Sequence, residues 1–337
     1  MPRILISDST LRDGSHAISH QLNSHNISIY AAAAEAAGVP IVEIGHGNGL
    51  GASSLQLGES LISDMEMLQN ARSHLVNSKL GIFVIPGFAT INKDLSMAID
   101  MGVDVVRVAA HCTEADITER HISYARQKGK EVYGVLMMSH MASKETLIEE
   151  AHKMELYGAE GVILMDSAGA YLPNDVHEKV SALVSNLTIP VGFHAHNNLG
   201  MAIANSVTAA EAGATILDGT VRGFGAGAGN TQLEVLVAVL EKMGYRTGID
   251  LYKILDAADI AEKEMMKVIP TIKSESIVSG LAGVFSGFLK PVNRISDKYG
   301  VDPRDVFFEL GRRQVVAGQE DLIIEVAMKL AQKQEEK

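Results

Sequence analysis

Tryptophan is absent from this chain, and cysteine is nearly so. Cys112 is the single thiol in 337 residues, and aromatic residues make up 5% of the sequence. One cysteine excludes an intramolecular disulfide framework and fits a reducing, cytoplasmic setting. Because Cys112 follows His111 and the valine-rich run before it, we read it as a half-buried thiol. Positive charge is scarce as well, with 29 Lys and Arg against 41 Asp and Glu, a formal net charge of −12. That balance argues against a nucleic-acid partner, which needs clustered cations. No apolar run reaches the length of a membrane span, and Met1-Pro2-Arg3 leads into a strand without a leader pattern. A protein of the cytoplasm with no membrane partner is expected.

What is present is a regular alternation. Short β-branched runs fall at 4–7, 41–44, 80–85, 103–109, 131–137, 161–165, 191–194 and 216–220. Most are apolar on both faces, as strands of a parallel sheet covered by helices are. Helical patterns lie between them at 28–37, 94–101, 118–128, 144–157, 174–184 and 199–212, and glycines such as Gly38 and Gly213 close the helices. Eight such units predict an α/β fold, a (β/α)8 TIM barrel over residues 1–265. A doubly wound open sheet is the alternative, but no G-x-G-x-x-G follows the first strand. After a helix over 251–269, residues 266–337 read as a small helical domain with pieces at 275–288, 293–299, 303–310 and 320–334. The terminal QKQEEK reads as a solvated helix end.

Polar residues gather after the predicted strands. ILISDSTLRDGSH (4–16) passes from apolar residues to a cluster of Asp8, Thr10, Arg12, Asp13 and His16. IPVGFHAHNN (189–198) ends a strand on His194 and His196, two apart and therefore on the same side. In a barrel both clusters share the C-terminal rim, so Asp13 can meet the two histidines and form a three-ligand divalent-metal site with open positions. A 2-oxo acid chelated there would be set up for enolate formation. Arg12 would hold the developing charge, Ser167 would bind the substrate carboxylate, and His16 would take a proton from a substrate hydroxyl. These parts predict a metal-dependent retro-aldol cleavage. No strand-end lysine stands out for Schiff-base chemistry. GFGAGAGNTQLE (223–234) suggests a phosphate cradle but lacks the P-loop lysine, so close backbone packing is expected there, with Asn230 supporting the metal's surroundings.

With those residues in view, the chain resembles the metal-dependent carbon–carbon lyases and synthases built on a TIM barrel. D-x-T-L-R-D-G is present as Asp8–Gly14, and H-x-H-N as His194–Asn197. TLRDGSHAISHQ, EIGHGNGLGASS and LMDSAGAYLP extend the likeness to that family's pyruvate aldolases. The resemblance implies Arg12 as transition-state stabiliser and His16 as proton acceptor. It also implies Asp13, His194 and His196 as ligands of Mn2+, and Ser167 and His194 in contact with substrate. The implied reaction splits 4-hydroxy-2-oxopentanoate into pyruvate and acetaldehyde, late in meta-cleavage of aromatic compounds. An acylating acetaldehyde dehydrogenase is the implied partner, in an oligomeric assembly, with 266–337 as docking region and aldehyde exit. One position departs: LAGVFSGFL carries Phe285 where the family usually has tyrosine. A related aldolase for another 4-hydroxy-2-oxo acid is therefore an alternative, as are a Claisen-type acyl-CoA synthase and a non-catalytic scaffold for a dehydrogenase.

Overall fold

The structure is a computed structural model and describes residues 2–335, so Met1 and the last two residues of QKQEEK lie outside it. Eight strands form a closed parallel barrel in sequence order. They are β1 (Leu5–Leu11), β2 (Ile41–Ile44), β3 (Lys79–Val84), β4 (Val105–His111), β5 (Glu131–Met137), β6 (Val162–Asp166), β7 (Val191–Ala195) and β8 (Ile216–Gly219). β8 closes onto β1 with Asp218 beside Ser7 and Gly219 beside Asp8. One strand face packs outward on the helices through residues such as Ile6, Val42, Ile82, Val106 and Leu164. The other fills the lumen with Ile41, Phe83, Val105, Ala109, Val135, Ile163, Met165 and Ile216. Each fully buried aliphatic side chain of this kind contributes ~1.5–3 kcal/mol, so both faces stabilise the closed sheet.

β1 runs four residues beyond the predicted strand, which corrects the reading of Asp8 and Thr10 as rim residues. Asp8 accepts from Tyr30 Oη (2.6 Å) and from the Thr10 amide (2.9 Å), beneath the helix Ser24–Ala37. Burial pushes its carboxyl up to about 6 in spite of those bonds. A polar group satisfied inside the helix layer no longer ends a strand. The helix Ser24–Ala37 also starts earlier than the apolar pattern suggests, because Asn23 and Asn26 close a reciprocal cap. The helix Asp64–Arg72 is an addition to the sequence reading. It buries only Met67, Leu68 and Ala71, too little for a clear periodicity, although Ser63 and Glu66 are a legible capping box.

The expected helix over 251–269 stops at Met265 (Leu251–Met265). Beyond it, the helices Ser274–Ala282, Leu289–Tyr299, Pro303–Arg312 and Asp321–Glu335 enclose a second apolar cluster of Val284, Phe288, Val292, Phe307, Leu310 and Ile323. The expected single helix 275–288 is broken at Gly283, whose φ of 65° ends the first helix. The chain then turns Phe285 and Ser286 back toward the barrel, where the Ser286 amide donates to the Ser167 carbonyl (2.9 Å). No helix among the described residues is long and apolar enough to cross a membrane.

Candidate active site

The C-terminal ends of β1 and β7 bring Asp13, His194 and His196 together. One donor atom from each lies within 4.8 Å of the others, and all three residues are buried. His194 Nε2 and His196 Nε2 stand 3.7 and 3.9 Å from Asp13 Oδ2. His194 Nδ1 pairs with Asp218 Oδ2 at 2.9 Å. That bond assigns the proton to Nδ1 and leaves Nε2 as a lone pair, buried and without a partner. An orphaned imidazole lone pair beside a carboxylate is costly unless a cation fills the gap. Two imidazole nitrogens and one carboxylate oxygen suit a first-row divalent ion, so these residues fit the metal the sequence calls for. Burial alone would raise the Asp13 carboxyl, but the adjacent Arg12 guanidinium holds it well below the usual carboxylate range.

Arg12 is fixed on three sides. Its Nε donates to Glu43 Oε1 (2.7 Å), its Nη1 to Asp13 Oδ2 (2.7 Å), and its guanidinium lies 4.5 Å from the centre of the Phe83 ring. Nη2 is buried with no partner, a donor held ready for an oxygen. The ion pairs continue inside the barrel. Arg107 on β4 donates to Glu43 Oε2 (3.1 Å) and to Asp218, which in turn holds His194. Asp13, Arg12, Glu43, Arg107 and Asp218 thus form a buried chain of alternating charge that ends on the His194 imidazole. The sequence reading missed Arg107. Its signal was a lone cation in the apolar run VVRVAAH, on the same strand face as the lumen residues Val105 and Ala109.

His16, in the short helix Gly14–Ala17, faces the same space. Burial pushes its imidazole down to about 3 against the pull of Asp13, which leaves a neutral ring able to accept a proton. The ring is wedged against Gly47, where a Cβ would come within 2.5 Å of it, and meets Phe285 edge-on at 6.5 Å. Behind it His20 and His46 stack at 3.6 Å, two residues that were not assigned from sequence. A small inner pocket of about 80 Å3 is lined by Arg12, Asp13, His16, His196, Phe83 and Phe285. His16 and Phe285 also line a larger outer chamber of about 590 Å3 between the barrel and the C-terminal helices.

Ser167 does not line either space. Its Oγ is buried at the end of β6 and accepts from the Met138 amide (2.9 Å). Cys112 is fully rather than half buried, its Sγ donating to the Met138 carbonyl (3.3 Å). The glycine-rich run 223–234 packs closely over the cation site. The Ala226 amide donates to Asp13 Oδ1 (3.0 Å), and a Cβ on Gly225 would sit 2.7 Å from both Asp13 Oδ1 and Asn230 Nδ2. Asn230, beside the carboxylate, has both side-chain polar atoms buried without a partner.

Comparison with known proteins agrees with this geometry. Residues 3–261 match the HMGL-like family, and residues 270–332 match the DmpG-like communication domain. A 4-hydroxy-2-oxovalerate aldolase of Spirochaeta aurantia is 67% identical over 98% of this chain and 96% of its own length. That of Pectobacterium atrosepticum is 64% identical over 99% of this chain and 97% of its own. Among solved structures, the carboxyl transferase domain of Rhizobium etli pyruvate carboxylase with pyruvate and biocytin superposes with a TM-score of 0.84. It is 17% identical, with 98% of this chain and 61% of that chain covered, and so bears on the fold alone. The chain belongs to the HMGL-like family of barrel enzymes and, within it, to the 4-hydroxy-2-oxovalerate aldolases, which are carbon–carbon lyases.

Proposed function

We propose that this protein is a class II aldolase that cleaves 4-hydroxy-2-oxopentanoate to pyruvate and acetaldehyde in the meta-cleavage breakdown of aromatic compounds. The observation that carries the reading is the meeting of three unsatisfied or poised groups around one small pocket. These are the Arg12 Nη2 donor, the Asp13–His194–His196 donor set and the neutral His16 ring. Asp13, His194 and His196 would hold the metal, which we take to be Mn2+. Bound there, it would supply Lewis-acid stabilisation of negative charge on the 2-oxo acid.

His16 takes the proton from the C4 hydroxyl, and the C3–C4 bond breaks. Its electron pair becomes the C2–C3 double bond of an enolate, whose oxygen Arg12 holds through Nη2. Acetaldehyde leaves, and a proton delivered to C3 gives pyruvate. His194 would contact the substrate from the metal-binding set, and Ser167, buried outside both spaces, would act on it only through the Met138 backbone that its Oγ holds. We divide the chain at residues 1–265 and 266–337, the latter docking an acylating acetaldehyde dehydrogenase in an oligomeric assembly and lining the aldehyde's way out. The match of 270–332 to the DmpG-like communication domain supports that role. Phe285 favours one variation on this reading, a different 4-hydroxy-2-oxo acid, because it faces the outer chamber and carries no hydroxyl to orient C4.

The test is incubation of Mn2+-loaded protein with racemic 4-hydroxy-2-oxopentanoate and assay of pyruvate and acetaldehyde together. Equimolar products are expected, lost on chelation and restored by Mn2+. Full activity in metal-free protein would overturn the mechanism.

A further inference from the structure

Asn198 lies outside the groups invoked above, two residues past His196, yet it is fully buried and fully bonded. Its Nδ2 donates to the Ala168 carbonyl and to Ser286 Oγ, each at 2.9 Å. Its Oδ1 accepts from the Ala228 amide at 2.9 Å. The three partners belong to three separate segments. Ala168 follows β6, Ala228 lies in the glycine-rich run that also bonds Asp13 through Ala226, and Ser286 follows Phe285 in the C-terminal region.

The surroundings are shaped around this amide. A Cβ on Gly227 would fall 2.5 Å from Asn198 Oδ1, and one on Gly169 would fall 2.8 Å from the backbone nitrogen of Asn198 and 3.1 Å from its Cβ. Gly280, in the helix Ser274–Ala282, would crowd the Asn198 Cβ at 3.2 Å. Two of these glycines, Gly169 and Gly227, also carry positive φ, of 58° and 65°. Two segments therefore give up side chains where they meet Asn198, and the third, at Gly280, does so where it meets Leu199 and the Asn198 Cβ. A buried amide satisfied by three segments has low freedom to follow one without moving the others.

We propose that Asn198 is a positioning residue that couples the cation site to the Phe285 segment. It holds the 225–228 run that orients Asp13, and through Ser286 it holds the segment that carries Phe285. A disturbance on either side reaches the other through this one side chain. The inference rests on the reading of Asp13, His194 and His196 as a cation site and adds a link that the reaction itself does not require.

Ser286→Ala is the decisive variant, because Ser286 makes no bond to the 225–228 run or to Asp13, and losing one hydroxyl is mild. Mn2+ binding to the full chain is measured by titration calorimetry or by the EPR signal of free Mn2+, without turnover. We expect Ser286→Ala to weaken Mn2+ about two- to fivefold and Asn198→Ala by about tenfold or more. The double variant should match Asn198→Ala alone, since non-additivity is the mark of a shared path. Because coupling is reciprocal, Mn2+ should slow amide exchange over 283–288 in the wild type and not in Asn198→Ala. Wild-type affinity in Ser286→Ala, or additive losses in the double variant, overturns the coupling while leaving the aldolase reading intact. Failure of the wild-type protein to bind Mn2+ or a similar ion overturns both.

Discussion

The two halves of the site are built in different ways. Around Asp13 the groups come from β1, β2, β4, β7 and β8 or their ends, and a chain of buried ion pairs joins them. Around His16 they come from a short helix, the loop after β2 and the C-terminal segment at Phe285, and they are held by ring packing. Ser19 and His20 there take φ values of 56° and 63°, a left-handed turn without glycine that the surrounding contacts must sustain. Charge locked into strands resists change, whereas uncharged loops can be exchanged piece by piece. On the proposed function, the enolate chemistry falls to the barrel half and the choice of aldehyde to the loop half.

Breaking the charged half should have the largest effect. Arg107→Met removes the cation that Glu43 and Asp218 share, leaving Glu43 only Arg12 and Asp218 only the His194 imidazole, and should cost about 3–5 kcal/mol in urea unfolding. Wild-type stability in that variant would mean that the chain of ion pairs is not a structural unit. The two halves should next separate kinetically. His16→Ala should lower cleavage by about 10²–10⁴, while deuterium exchange at C3 of pyruvate persists because Arg12 and the cation site remain. Arg12→Lys, which keeps charge but loses the planar fork, should lower both by about 10². Equal losses of both activities in His16→Ala would remove it from the role of base.

Smaller effects sharpen the contrast. Phe285→Tyr should leave pyruvate formation intact and change preference between the C4 enantiomers severalfold, about the value of a 0.5–1.5 kcal/mol hydrogen bond. Kinetic resolution of the racemate reads it directly, and equal residual enantiomer ratios would reduce Phe285 to packing. The smallest effect lies at the opposite end of the barrel, where Glu35 accepts from the amides of Asn77 and Ser78 at 2.9 Å each. Burial opposes its ionisation, but these donors outweigh burial and bring the carboxyl down to about 2. A lowered folded-state value stabilises above the unfolded value near 4.5 and is lost as pH falls toward 2. Glu35→Gln should therefore melt below wild type at pH 7, with the gap closing between pH 4.5 and 2 and turnover unchanged throughout.

The alternation of apolar strands and helices was enough to specify the eight-stranded barrel, because strands buried on both faces need continuous apolar runs. The residues that converge at the rim were also legible, since Arg12, Asp13, His16, His194 and His196 stand at strand ends where the fold must bring them together. Sequence reasoning did not reach Arg107, Asn198 or the His20–His46 pair. Each acts through partners between 26 and 111 residues away, and no local pattern encodes a contact of that range. It also placed Asp8 and Thr10 at the rim, because a polar residue on a strand gives no sign of which layer will satisfy it. Only tertiary structure decided that Tyr30 would do so from the helix above. Strand and helix are set by neighbours along the chain, whereas a buried charge is set by whatever the closed barrel brings opposite it.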